Sequence, residues 1–225
     1  MMKSHLGAGL GALMLGALIA LAPGGQAAAE PLETGGFSFS DEQGGFRLVS
    51  VSGSGTTDDP IVLVEEIFDL NPIVLVIRRL PDSEDSAAPA MGFSAMTLSM
   101  TKVVFNRTKK VWGGFDLELQ ETLNQPSIYG DGLSFDQPGV FGQTVRSDFF
   151  AFNRLQQEPY DRILFRDGEI DPETSVQFTF YVTDPTPPKI FYLLQEPQFL
   201  TAGVPHPTVQ LAERNPATAP RPSPP

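Results

Sequence analysis

Between residues 175 and 183 polar and apolar side chains alternate without a break, Val176, Phe178, Phe180 and Val182 being interleaved with Ser175, Gln177, Thr179, Tyr181 and Thr183. Successive side chains of a strand point to opposite faces, so this run predicts a strand with one face on a core. Phe115, Leu117 and Leu119 alternate with Asp116, Glu118 and Gln120, which predicts a second strand with an acidic face in water. Met96, Leu98 and Met100 give a third. Residues 61–64 and 73–77 are apolar throughout, short and β-branched, as buried central strands are. Between these runs lie Gly53 and Gly55 with Asp58, Asp59 and Pro60, then Asn71-Pro72, Gly113-Gly114, Asp131-Gly132, Asp167-Gly168 and Asp171-Pro172, all of which mark chain reversals. Short strands at such spacing predict an all-β fold, a single antiparallel β-sandwich (immunoglobulin-like or related) of about eight to ten strands.

Two stretches interrupt the pattern. Residues 81–91 are polar and acidic and read as a long loop. In residues 147–157, Ser147 suits the cap of a short helix carrying Phe149, Phe152 and Leu155, although 149–152 equally suits a strand.

The ends of the chain have their own composition. Lys3 precedes an apolar run over residues 6–22 that breaks at Pro23-Gly24-Gly25 and ends Ala27-Ala28-Ala29. The run is shorter than the roughly 20 apolar residues a bilayer span requires and is diluted by glycine. It reads as an N-terminal signal helix, residues 1–29, with the small residues Ala27 and Ala29 at the cleavage site, leaving no stable membrane span after cleavage. The β-sandwich domain then covers 30–202. The stretch 203–225 is rich in proline and cannot bury enough apolar surface to order itself, so a disordered C-terminal tail is expected.

An exported chain without cysteine holds its fold by its core rather than by disulfides, and 17 Phe supply that core. The net charge of −12 and the scatter of the basic residues argue against nucleic acid, which needs clustered Lys and Arg to release counterions. Of the two His, His5 lies in the leader and His206 in the tail, so a Ser-His-Asp or Cys-His site has no imidazole to move its proton. A zinc site lacks its usual ligands for the same reason. No glycine-rich phosphate loop is present, since Gly53-Ser54-Gly55 lacks the Lys-Ser/Thr that would follow.

Carboxylates alone can hydrolyse glycosides. The visible pairs are Glu65 with Glu66, Asp116 with Glu118 and Glu169 with Asp171, each of which also reads as the wet side of a strand or turn. The stretch 130–136 brings Asp131 and Asp136 into a glycine-bearing loop that offers oxygen ligands to calcium, yet lacks the spacing of a known calcium loop and reads as a turn. Trp112 beside Gly113-Gly114, with Tyr129, can be drawn as a stacking platform for sugar; beside Phe115 at the start of a strand it reads more simply as core. No catalytic, cofactor-binding or metal-binding residue is assigned on these grounds.

Residues 103–119 read as a hairpin, apolar strands on either side of a polar turn at 106–110. Asn106, Thr108, Trp112, Phe115 and Leu119 within it, together with the closing alternation of 176–182 and the strand at 191–194, resemble uncharacterised exported bacterial β-sandwich proteins that carry an Asn-x-Thr turn followed by Trp and Phe. The resemblance covers about half the domain and departs at Lys109, where many of those proteins have Gly in the turn. It implies a lineage and no activity. The function expected is therefore a non-catalytic exported binding or structural module, periplasmic or extracellular, engaging a protein or envelope component through a sheet edge or its loops. The alternatives are a carbohydrate- or calcium-dependent binding module and an acid-only glycoside hydrolase.

Overall fold

The computed structural model describes residues 30–81, 96–127, 130–135, 145–156 and 161–200. The leader with Ala27 and Ala29, nearly all of the 81–91 loop, Tyr129, Asp136 and the tail lie outside the described residues.

The described residues form thirteen strands: β1 (Leu32–Thr34), β2 (Phe37–Ser40), β3 (Phe46–Ser52), β4 (Ile61–Ile67), β5 (Ile73–Arg79), β6 (Met96–Asn106), β7 (Trp112–Gln120), β8 (Ser134–Phe135), β9 (Arg146–Ser147), β10 (Phe152–Gln156), β11 (Arg162–Arg166), β12 (Ser175–Asp184) and β13 (Ile190–Phe199). One sheet has seven strands in the order β1-β2-β5-β13-β7-β11-β10. The other has six, in the order β3-β4-β6-β12-β8, with β9 also on β12. The count exceeds eight to ten because β1, β8 and β9 are too short to show an alternation.

The four alternating residues of β12 are fully buried. The Phe178 ring lies 4.8 Å from that of Phe115 and 4.6 Å from that of Phe165, which join the two sheets face to face. Burying a side chain of this size contributes about 2–3 kcal/mol. The two apolar runs are interior strands as expected, β4 between β3 and β6 and β5 between β2 and β13.

Four expectations are corrected. The sandwich is not wholly antiparallel, because β4 and β6 pair in parallel. The intervening β5 belongs to the opposite sheet, so the chain crosses over and returns along β4 in the same direction. Residues 103–119 are likewise no hairpin: β6 pairs with β4 and β12 whereas β7 pairs with β13 and β11, and the turn arches from one sheet to the other. The arch is held by a buried polar cluster. Asn106 Nδ2 donates to the carbonyls of Lys110 (2.8 Å) and Ile170 (3.1 Å), and its Oδ1 accepts from Thr108 N (3.0 Å) and Oγ1 (2.6 Å). Trp112 Nε1 donates to Thr108 Oγ1 at 3.2 Å, which gives the Asn-x-Thr-and-Trp pattern a structural reason.

Gly113-Gly114 is the third correction, since both residues lie inside β7 rather than in a turn. A Cβ on Gly113 would meet Leu200 at 2.3 Å and one on Gly114 the Phe165 carbonyl oxygen at 2.9 Å, so close approach requires them. Finally, the described part of 147–157, residues 147–156, holds no helix. Ser147 Oγ does accept from the amides of Phe149 (3.3 Å) and Phe150 (3.4 Å), but the capped turn leads into strand β10.

Candidate functional site: a polar groove on the six-stranded sheet

The side chains that alternate with the core residues of β6 and β12 face outward, and strand register sets them in rows. Thr101 pairs with Thr179, and Thr179 with Arg146 of β9, giving one row across three strands. The next row pairs Ser99 with Tyr181, and the row on the other side pairs Val103 with Gln177. Ser99, Thr101, Gln177, Thr179 and Tyr181 floor a groove of about 480 Å³. That is within the roughly 300–1,000 Å³ of small-ligand sites.

Two walls flank this floor. Thr57 and Pro60 from the β3–β4 loop form one; Arg146, Ser147 and Asp148 form the other. The loop wall is fixed by the amides of Ser54 and Gly55 donating to the Asp59 carbonyl (3.1 and 2.9 Å), and by Ser99 N donating to the Gly55 carbonyl (2.8 Å). Tyr181 Oη and Thr57 Oγ1 lie 3.3 Å apart, joining loop to floor. On the other side Asp148 Oδ1 accepts from Gln177 N at 2.7 Å, which holds its carboxylate at the rim. The groove can therefore offer rigidly placed hydroxyls, an amide, a carboxylate and a guanidinium.

Sequence reasoning missed this site, because Thr101, Thr179 and Tyr181 appear in the sequence only as the polar half of an alternation. Nothing local links them to Arg146; β9 has two residues and carries no pattern of its own.

The residues that the sequence singled out lie elsewhere. Trp112 is fully buried, its ring 5.5 Å from that of Phe115, so it is core and not a sugar platform. The acidic face of β7 is not in water. Asp116 and Glu118 are buried under Arg166, which pairs with both oxygens of Asp116, and under Arg162, which reaches Glu118 (3.5 Å) and Glu196 (3.0 Å); Gln120, also buried, donates to Glu118 at 2.8 Å. A central strand has neighbours on both sides, and here β11 brings the two arginines that cover the carboxylates while β13 brings Glu196. Glu65 is also no wet residue: register places it on the core face of β4, where it pairs with Lys102, both side chains having no exposure. Burial holds the Lys102 ammonium below its ordinary value against the opposing pull of Glu65. Glu66, on the opposite face, is held below the usual carboxylate range by Arg107, then Arg47. Only Glu169 and Asp171 are exposed as expected.

Asp131 accepts from Ser127 Oγ at 2.8 Å and from Leu133 N at 3.1 Å, as a turn aspartate does. Its charge adds to burial in raising the carboxyls of Asp161 and Asp184, the latter to about 6. Among the described residues no group of three or more His, Cys, Asp or Glu is placed to hold a metal ion.

The fold and groove together define a two-sheet all-β domain with an open polar site on one outer face. No protein family, no curated protein and no solved structure matches this chain.

Proposed function

We propose that this chain is a non-catalytic exported module, periplasmic or extracellular, that engages a protein or other envelope component through the groove on its six-stranded sheet. The carrying observation is the row Thr101–Thr179–Arg146, which gathers hydrogen-bonding groups from three strands under a loop tied down by the Gly55 and Thr57 contacts. An immunoglobulin-like relationship and the likeness to exported bacterial β-sandwich proteins belong to the same proposal. The hydrolase alternative has less support: Glu65 and Glu66 point to opposite faces of β4, and Asp116 and Glu118 are buried against Arg162 and Arg166, so neither pair faces an open site where two carboxylates could flank a glycosidic bond.

The test is photo-crosslinking in producing cells from Gln177, in the groove floor, with Lys109 at the arch as control. One discrete adduct from Gln177 and none from Lys109 is expected. Equal labelling from both positions, or adducts from Lys109 alone, contradicts the assignment.

A further inference from the structure

Resting on that reading, we infer that the groove is a saccharide site whose ligand carries a carboxylate, with Arg146 as its anchor. Its floor is made of Ser and Thr hydroxyls, short groups that both donate and accept and lose little freedom on binding, and of the Gln177 side-chain amide, which offers a donor and an acceptor. Sugar hydroxyls need the same dual capacity. The core of a protein interface is instead apolar and aromatic, and here the Tyr181 ring is itself nearly buried, with little face to offer.

Arg146 adds the charge. In this acidic chain Arg47, Arg78, Arg107, Arg162 and Arg166 all stand in ion pairs. Arg79, Arg146 and Arg154 have none among the described residues; Arg79 donates to the Pro187 carbonyl and Arg154 lies on β10, whereas Arg146 is exposed and shares its row with Thr179 and Thr101. A guanidinium so placed presents a planar fork that matches a carboxylate. Asp148 at the same rim is held by the Gln177 backbone N–H and supplies an acceptor for ligand hydroxyls. It also makes the rim locally neutral, which suits a ligand with isolated carboxylates and disfavours a dense polyanion.

The experiment is calorimetric titration of the full exported chain with oligogalacturonate, oligomannuronate and glucuronate-containing oligomers, each beside its carboxyl-reduced counterpart. At least one acidic oligomer should bind at least tenfold more tightly than its reduced form. Arg146→Gln should abolish that difference and leave the thermal midpoint unchanged, and Thr179→Val should weaken both forms. Equal binding of each pair, or full retention of acidic-oligomer binding by Arg146→Gln, overturns the carboxylate anchor. Binding of none overturns the saccharide class; the Gln177 crosslink, which needs no knowledge of the ligand, then judges the groove separately.

Discussion

Lys102 and Glu65 illustrate how a single side chain can depart from its strand's pattern. Both point into a core otherwise filled by Phe, Ile, Leu, Val, Met and Trp112, and Glu65 Oε2 has no hydrogen-bond partner. A buried pair of this kind contributes little net stability, yet losing one member leaves an uncompensated charge. Lys102→Met should cost about 3–5 kcal/mol in urea unfolding, whereas Lys102→Met with Glu65→Leu should return to within about 1 kcal/mol of the parent or exceed it. Neither residue's place was legible in the sequence, because Glu65 ends an apolar run and Lys102 sits among threonines and valines where only register assigns a face.

Asp184 gives the residue scale its pH dependence. Its folded value of about 6 lies above the ordinary 3.8, chiefly through burial, with the charges of Glu121 and Asp131 adding and the Thr186 amide opposing. The folded state therefore holds this proton more tightly than the unfolded chain, and the cost of ionising the group is present above pH 6 and vanishes below pH 3.8. It amounts to about 3 kcal/mol. Asp184→Asn should be more stable than the parent at pH 7 by up to that amount, the gap closing by about pH 4. Asp161, also raised by burial, acts in the same direction. Glu66 and Glu42 act oppositely: their folded values are lowered by Arg107 and Arg78, so their contribution is present above the ordinary 4.5 and is lost as pH falls through the folded values. Parent stability should rise on acidification from neutrality and fall again below about pH 4.

At the scale of elements, the β3–β4 loop shows how a turn is made to serve a site. Gly53 has φ +89°, and a Cβ there would come within 1.9 Å of the Pro60 carbonyl oxygen. Gly53→Ala should destabilise the fold by about 2 kcal/mol and, by displacing Thr57 and Pro60, weaken groove binding more than Gly44→Ala, which is open to solvent. Chemical denaturation and the Gln177 crosslink read the two effects separately. This loop was legible as a reversal because glycine and Asp-Pro chemistry is local. The long strands were legible for the same reason, period two being written in each. What could not be read were the connections: the arch at Asn106 has the residues of a hairpin turn, and only pairing with strands far along the chain sends β6 and β7 to different sheets.

The two outer faces of the described sandwich arrange their charges differently. The seven-stranded sheet closes its outer face with a network of Arg162 and Arg166 on Asp116, Glu118 and Glu196, while the six-stranded sheet gathers Arg47 and Arg107 on Glu66 at one end and leaves a hydroxyl-lined groove open beside Arg146 on its other strands. The two faces therefore differ in what they offer a ligand, although the alternation that built them is the same. Hydrogen exchange of the full chain, alone and with intact envelope fragments, tests this difference directly and without choosing a ligand. Added protection is expected at 53–60, at 146–148 and along 177–181, with none on β10. Protection confined to β10 or to the seven-stranded sheet, or no change anywhere, would contradict it.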